Sequence, residues 1–253
     1  MRAFVVAVFA FLYLPIALVV LFSFNVGRHA SELTGFSVQW YGKALSNPFL
    51  VEALKNSLFI ATTSALLAAL CGTAAALGLA RVGARTRAVF DALLGAAIVV
   101  PGVVIGISTL VALVQLPRLA LGYGSIIAAH GLFSMALVAM IVGTRLGSLD
   151  RNLVEVSSDL YATPLTTFRS IVLPQIMPAV IAGFLLAFTF SFDDFIVAFF
   201  VAGAQTTLPI YVFASIRRGV TPEIKAIATI VLVASVLLVV LAQWQLRQRN
   251  PSN

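Results

Sequence analysis

Long apolar runs separated by short polar segments dominate the pattern of this chain. Six runs reach the roughly 20 residues that a helix needs to cross a hydrocarbon core about 30 Å thick. Their approximate bounds are residues 3–24, 57–80, 88–114, 125–142, 176–202 and 226–246. The first run is longer than the apolar part of a signal peptide, so we interpret it as a retained helix. The pattern predicts an all-α membrane protein with six transmembrane helices.

The composition agrees with this pattern and removes several function classes. Of the 253 residues, 61% are hydrophobic and 10% are charged, against about 25% charged residues in an ordinary soluble domain. The formal net charge is +7, but no basic segment is interleaved with aromatic residues, so we expect no nucleic-acid partner. One cysteine and two distant histidines form no metal-ligand pattern, so we expect no metal. We expect one transmembrane domain over residues 1–253.

Basic residues orient the helices. Arg81, Arg85 and Arg87 crowd one short connection, and basic residues in short loops favour the cytoplasmic side. With six spans, this orientation predicts that both termini are cytoplasmic. The long connections at 25–56 and 203–223 then lie outside, and the most polar connection, at 144–175, lies inside.

The connection at 144–175 predicts two short amphipathic helices. Asn152 can cap a helix whose third residue is Glu155, and Thr163-Pro164 can start a second helix. Apolar residues recur at helical spacing in both segments. We interpret the pair as a surface that meets a partner. Glu155 can act as a cap, as a partner contact, or as both.

Two adjacent carboxylates, Asp193 and Asp194, lie in the apolar stretch FSFDDFIVAFF at 190–200. An aspartate near the centre of a span costs roughly 2.5–3.5 kcal/mol on insertion scales. Neighbouring helix positions differ by about 100°, so the two carboxylates diverge. One can line a water-filled path while the other contacts a neighbouring helix. Pairing with Arg217 or Arg218 and solvation at the interface are the structural alternatives.

Other features of the spans predict packing. His130, in the fourth span, is expected to be a hydrogen-bonded packing residue rather than a proton relay. The spacing of Gly102 and Gly106 is typical of close helix packing. The divergence of the paired aspartates argues against the shared-proton dyad of an aspartyl protease.

The inner connection resembles the EAA loop of ABC-importer permeases. Glu155 stands at the position of the family's glutamate, and Ile171, Leu173 and Pro174 follow at the family's spacing. In that loop a glycine allows the sharp turn between the two helices. Tyr161 stands at the position of this glycine.

This resemblance implies the type I ABC importer permease fold, with a cytoplasmic coupling loop at 144–175 that seats on an ATPase. Val156 and Ser157 stand where the family has two alanines. The residues implied to couple to the ATPase are Glu155, Asp159, Leu160, Tyr161, Ala162 and Pro174.

Two further segments, VVPGVVIGIS and SFDDFIVAFFVAG with the following TLPIYVFASIRRGVTPEIKAIATI, look like the second permease subunit of the spermidine/putrescine branch. A polyamine is a polycation with apolar spacers, to which carboxylates offer charge and aromatic rings offer cation–π contacts of about 0.5–2 kcal/mol. The residues implied to line the substrate path are Asp193, Asp194, Phe192 and Phe195. Two alternatives stay open. One is an ABC-importer permease for another small solute, and the other is an ion-coupled secondary transporter.

The resemblance also implies partners and a location. The partners are a homologous permease forming a heterodimer, two cytosolic ATPases that bind ATP and Mg, and a periplasmic solute-binding protein. The location is the bacterial inner membrane, within the lipid bilayer. The sequence has no GxxxxGK[ST] phosphate loop, so we expect this chain to bind no cofactor and to be a transport subunit rather than an enzyme.

Overall fold

The computed structural model describes residues 1–27, 32–116, 120–218 and 221–249. Their backbone is largely helical, with one isolated antiparallel bridge between Asn25 and Phe36. The helices are α1 (Arg2–Ser23), α2 (Gln39–Ser46), α3 (Pro48–Leu79), α4 (Ala84–Val99), α5 (Gly102–Gln115), α6 (Tyr123–Gly147), α7 (Arg151–Asp159), α8 (Pro164–Thr167), α9 (Leu173–Asp193), α10 (Ile196–Val201), α11 (Leu208–Arg218) and α12 (Pro222–Arg249). A π-helical turn, Phe168–Val172, leads from α8 into α9.

Among the described residues, four segments are long and apolar enough to cross a membrane, and five are if the bent pair α4–α5 counts as one span. The four are Phe4–Ser23, Pro48–Leu79, Tyr123–Gly147 and Pro164–Asp193. The sixth predicted span, at 226–246, falls in α12, whose side chains are described only as far as Leu237. The count of six spans therefore stays a prediction.

Two predicted spans are not continuous helices. The span predicted at 88–114 bends by 101° between α4 and α5, because Pro101 has no N–H to donate and disfavours a helical conformation at Val100. The span predicted at 176–202 ends at Asp193, and Asp194 takes an extended conformation (φ −70°, ψ 115°). The prediction of continuous helices was wrong at both places, since apolar character does not report backbone continuity.

The chain forms two compact units, one from the described residues of Met1–Glu52 and Tyr211–Asn253 and one from Ala53–Ile210. In the first unit, α1 and α2 pack against α12. The Trp40 indole N–H donates to the Asn25 carbonyl at 2.7 Å, which fixes the turn after α1. The single domain expected over residues 1–253 stays a prediction.

In the second unit, α6 packs against α4 and α9, and α5 packs against α10. One buried apolar cluster includes Ile126 and Val201, and a second includes Val138 and Ile176. His130 lies between these two clusters along α6. The second unit is therefore an apolar helix bundle with a polar residue between its two cores.

Of the two glycines on α5, Gly106 has the packing role that their spacing predicts. A Cβ at Gly106 would lie 2.7 Å from Cδ2 of Phe200 and 3.3 Å from Cα of Val197, both on α10. A Cβ at Gly102 would meet Ile196 only at 3.9 Å, which is an ordinary contact. The close approach of α5 and α10 therefore depends on Gly106 and much less on Gly102.

Hydrogen bonds hold the segment that follows α10. The Asn56 side-chain amide donates to the Thr206 carbonyl at 3.0 Å and accepts from the Tyr123 hydroxyl at 2.7 Å. The Ser57 hydroxyl accepts from the backbone N–H of Leu208 at 2.8 Å. These bonds tie the segment after α10 to α3, and the bond from Tyr123 ties α6 to the same asparagine.

Candidate functional site

The break between α9 and α10 places the carboxylate of Asp194 between two helices. Its Oδ2 accepts the backbone N–H of Ala198 at 3.1 Å, and His130 Nε2 lies 3.1 Å from the same oxygen. The first N–H groups of a helix lack partners within it. Asp194 therefore satisfies one such group of α10 while α6 supplies its second partner.

His130 bonds to the end of α9 as well as to the break. Its Nδ1 lies 2.7 Å from Oγ of Ser191 on α9, and its side chain is only 4% exposed. A carboxylate can only accept, so Nε2 carries the proton and donates to Asp194, and in a neutral ring Nδ1 accepts from the Ser191 hydroxyl. The prediction that His130 is hydrogen-bonded is confirmed.

Sequence reasoning missed the partner of His130. The available signal was that ionisable groups inside a membrane pair with one another, and His130 and Asp194 both lie in apolar runs. The two are 64 positions apart, so only the packing of α6 against the break shows that they meet.

A cavity of about 320 Å³ borders the break. Its lining residues are Ile98, Val100, Gly102, Ile105, Ala129, His130, Phe133, Ser134, Phe190, Ser191, Asp194, Ile196 and Val197. Both interrupted helices meet there, since Val100 and Gly102 flank the α4–α5 bend. Irregular backbone at membrane depth is tolerated where it is buried in protein or lines a cavity.

The chemistry of the cavity is an apolar wall with one carboxylate. Phe133 and Phe190 meet edge to face, with their ring centres 6.1 Å apart, and both belong to the lining. Aromatic faces and a carboxylate together suit an organic cation that also carries apolar surface.

The other predicted path residues lie elsewhere. Asp193 is the last residue of α9 and is exposed, and no hydrogen-bond or ion-pair partner for its carboxylate occurs in the part of the chain that the structure describes. Phe192 stacks on Phe188 with ring centres 5.9 Å apart, and Phe195 packs on Phe199 at 5.3 Å. The carboxylates diverge as predicted, but because the helix ends between them.

The arginines that were the structural alternative for the aspartates are placed differently. The guanidinium of Arg217 lies over the ring of Phe213 at 4.8 Å, and the Arg218 side chain lies outside the described residues. The side chain that bonds to the Asp194 carboxylate is instead that of His130.

The order Ser191–His130–Asp194 resembles the hydrogen-bonded chain of a serine hydrolase. A nucleophile must reach its substrate, and Ser191 is only 6% exposed. The arrangement therefore orients a carboxylate and offers no accessible nucleophile.

The predicted coupling loop contains the two short helices. The cap of α7 is Asp150, whose carboxylate accepts from the backbone N–H of Asn152 at 3.0 Å. The prediction of Asn152 as the cap was wrong, because another cap-forming residue lies two positions earlier. Thr163 caps α8 as predicted, by accepting from the Thr166 N–H at 3.3 Å, with Pro164 in the first turn.

Tyr161 makes the turn for which the related loops use glycine. Its φ is 57°, in the left-handed region that favours glycine. Its N–H donates to Ser158 and the N–H of Ala162 donates to Ser157, at 2.9 and 3.1 Å, which is a Schellman motif. The sharp turn is therefore kept despite the bulky side chain.

The exposed side chains on and after α7 are apolar or acidic, and we call them together the α7 surface. Its residues are Leu153, Val154, Glu155, Val156, Asp159, Leu160 and Tyr161, all exposed. Among the described residues the Glu155 carboxylate accepts no hydrogen bond, so the capping alternative for Glu155 was wrong. Pro174 is exposed near the start of α9, and Ala162 is half-buried.

Polar contacts connect this loop to the bundle. The Ser157 and Thr167 hydroxyls lie 2.7 Å apart and join α7 to α8. The Arg145 guanidinium, near the end of α6, donates to the Gln175 carbonyl of α9 at 3.0 Å. The helix that carries His130 and the helix that ends just before Asp194 are thus tied together where the loop begins and ends.

Long apolar helices, two of them interrupted around an acidic cavity, and an exposed amphipathic loop define a membrane transport subunit. The model of one family, described as binding-protein-dependent transport system inner membrane component, matches residues 66–252. The chain belongs to this family, which confirms the predicted ABC-importer permease class.

Curated relatives cover nearly the whole chain. The putrescine transport system permease protein PotI of Escherichia coli (strain K12) is 43% identical over 249 residues, which are 95% of this chain and 88% of that protein. The spermidine/putrescine transport system permease protein PotC of Haemophilus influenzae is 38% identical over 98% of this chain and 97% of its own length. PotC of Escherichia coli (strain K12) is 36% identical over 99% of this chain and 95% of its own length.

Solved structures confirm the predicted all-α permease fold. A chain of a bacterial ABC transporter involved in the import of the acidic polysaccharide alginate matches with a TM-score of 0.74, covering 99% of this chain and 94% of that one. A chain of the MetNI methionine ABC transporter matches with a TM-score of 0.66, covering 81% of this chain and 98% of that one. The identities are 16% and 17%, so these likenesses show the fold alone.

Proposed function

We propose that this chain is the membrane-spanning subunit of an ATP-driven importer and forms half of the translocation path for a polyamine of the putrescine and spermidine class. The observation that carries the proposal is the match, over nearly the whole chain, to permeases named for putrescine and spermidine/putrescine transport. The acidic cavity at the two helix breaks supports a cationic substrate.

Asp194 is the aspartate that we assign to the path. Its Oδ2 is engaged by His130 and by Ala198, and Oδ1 has no partner among the described residues. An ammonium group can donate to Oδ1 while the methylene spacers of a polyamine contact the apolar wall, with Phe133 and Phe190 beside it. The carboxylate then compensates the charge of the cation as it crosses the membrane.

Asp193 has a different role in this proposal. A carboxylate that faces hydrocarbon is costly, and Asp193 lies exposed at the surface of this chain. We assign it to the contact with a homologous permease subunit, where protein or water of the shared path covers it. Phe192 and Phe195, at the same break, are assigned to the same side of the path.

The α7 surface is the proposed contact with a cytosolic ATPase. Leu160 and Tyr161 are 75% and 96% exposed, which is unusual for large apolar side chains unless a partner covers them. ATP and Mg would bind to the two ATPases. Arg145 and the Ser157–Thr167 contact would pass closure of the ATPases from this loop to α6, which carries His130, and to α9, which ends just before Asp194.

The remaining parts of the complex follow from the predicted orientation. Both termini and the connection at 144–175 are assigned to the cytoplasmic side of the bacterial inner membrane. The connections at 25–56 and 203–223 are assigned to the periplasmic side, where a solute-binding protein would deliver the polyamine.

Uptake into vesicles tests the proposal. Vesicles that hold the assembled complex, with its binding protein outside and ATP supplied to the ATPases, are expected to accumulate labelled putrescine or spermidine only when ATP is present. Binding-protein-stimulated ATP hydrolysis without uptake of either polyamine would contradict the substrate and keep the importer.

A matched pair of variants tests the assignment of the aspartates. Asp194→Asn keeps the shape but removes the charge, and we expect uptake per assembled complex to fall about tenfold, the scale of one lost interaction with a charged group. Asp193→Asn makes the same change one residue earlier and is expected to lower the yield of heterodimer, with less effect on uptake per complex. The reverse pattern would contradict the assignment.

A further inference from the structure

His130 is a buried ionisable side chain that the translocation path, as described so far, does not use. It lies on α6, which is a continuous helix, and contacts Ser191 near the end of α9 and Asp194 in the break between α9 and α10. Its side chain is 4% exposed, whereas that of Asp194 is 25% exposed. Both side chains border the cavity, and the aspartate is the more exposed of the two.

The backbone at Asp194 is not fixed by helical hydrogen bonding. Asp194 is extended and lies between the end of α9 and the start of α10. Two hydrogen bonds hold its carboxylate, one from the short α10 and one from His130. Only the bond from His130 ties the carboxylate to a long helix outside the break, which is α6.

Both bonds use the same oxygen. Because His130 and Ala198 both donate to Oδ2, the rotation of the carboxylate is restricted and Oδ1 is the oxygen left for a further donor. The Ser191 hydroxyl bonds to the other ring nitrogen and restrains the orientation of the ring. The carboxylate, which can only accept, requires the proton on Nε2.

We propose that His130 is the positioning residue of the substrate path, which holds Oδ2 of Asp194 so that Oδ1 is presented to an ammonium group in the cavity. This inference rests on the proposed function of the same cavity. His130 itself does not touch the cation, and it acts through Asp194. The Ser191 hydroxyl orients the imidazole ring and so supports the same positioning role.

Two amide substitutions separate this role from packing. The terminal nitrogen of glutamine can take the place of Nε2 and donate to Asp194, whereas asparagine is shorter and reaches only to the position of Nδ1, beside Ser191. His130→Gln is therefore the conservative variant, His130→Asn its matched control, and His130→Ala removes both bonds.

The measurement is labelled putrescine uptake per ATP hydrolysed, in vesicles holding the whole complex with its binding protein. We expect His130→Gln to stay within about twofold of the original protein, and His130→Asn and His130→Ala to fall about tenfold, the scale of one hydrogen bond to a charged group. Binding-protein-stimulated ATP hydrolysis is expected to be kept in all three, because the ATPases are intact.

Three results would overturn the inference. The first is normal uptake per ATP in His130→Ala. The second is equal impairment of the glutamine and asparagine variants, and the third is loss of assembled complex in all three; each of these would show that the ring only fills space. Failure of the proposed function has a different signature, since the unmodified complex would then hydrolyse ATP without taking up putrescine or spermidine.

Discussion

At the scale of the residue, Tyr161 combines an unfavourable backbone with an exposed side chain. A left-handed conformation costs a non-glycine residue roughly 1–2 kcal/mol, and Tyr161 has a φ of 57°. Its side chain is 96% exposed, so contacts within the chain do not offset this cost. Strain of this kind is kept where a function requires it, which supports the proposed contact with the ATPase.

Two substitutions separate the backbone of Tyr161 from its side chain. Tyr161→Ala removes the ring but keeps the strain, whereas Tyr161→Gly removes both, so the glycine variant is expected to be more stable than the alanine variant by about 1 kcal/mol. Thermal unfolding of the purified chain in detergent measures this difference. Both variants are expected to lower the ATP hydrolysis that the loaded binding protein stimulates, and normal stimulation in both would contradict the contact.

At this scale, the sequence predicted the acidic residues of the candidate site but not the direction in which side chains point. Asp193 and Asp194 could be found because two carboxylates in an apolar run are costly and therefore noticeable. The sequence could not show which one faces a cavity, since that depends on the helix ending between them. Phe133 and Phe190 line the cavity although phenylalanines nearer the acidic pair were predicted, because side-chain direction follows from packing.

At the scale of the element, the contact between α5 and α10 depends on one small residue. A Cβ at Gly106 would approach Phe200 to 2.7 Å, so the ring and then α10 would have to move. Because α10 begins just after Asp194, such a shift would also displace the carboxylate. The contact therefore joins the second helix break to the first.

Alanine substitutions at the two α5 glycines test this contact. Gly106→Ala is expected to destabilise the chain by about 1–3 kcal/mol through overpacking and to lower uptake. Gly102→Ala is the matched control, since its Cβ would lie 3.9 Å from Ile196, and we expect it to be tolerated. Thermal unfolding of both variants measures the difference, and equal stability of the two would contradict this account of the packing.

Helix existence was predictable at this scale and helix continuity was not. Runs of apolar residues located the spans, because transfer to hydrocarbon depends on composition. The break at Val100 follows from Pro101, which a closer reading of the sequence can detect. The break at Asp194 contains no proline or glycine. There the hydrogen bonds from His130 and Ala198 to the carboxylate take the place of further helical hydrogen bonds.

At the scale of the whole molecule, orientation in the membrane is the prediction on which the partner assignments depend. Arg81, Arg85 and Arg87 predict a cytoplasmic position for their connection, and the predictions for the other connections follow by alternation. An opposite orientation would put the α7 surface outside, where a cytosolic ATPase could not contact it.

Cysteine labelling tests this orientation. Cys71 is the only cysteine of the chain, so a Cys71→Ser background allows single exposed positions to be probed. Ser46→Cys, at the end of α2, is expected to react with an impermeant maleimide in intact cells. Val82→Cys, which leaves every arginine in place, is expected to react only after the membrane is opened. Labelling of Val82→Cys from outside would overturn the orientation and the ATPase contact with it.

The sequence by itself determined the membrane class, the apolar helices, the amphipathic loop and the likeness to ABC-importer permeases, because hydropathy, helix signals and motif spacing are properties of neighbouring residues. Only the tertiary structure decided that two spans are interrupted, that the interruptions share one cavity, and that His130 holds Asp194 there. The physical reason is that a break in a membrane helix is stable only when other helices satisfy the freed polar groups, and those partners are distant in the sequence.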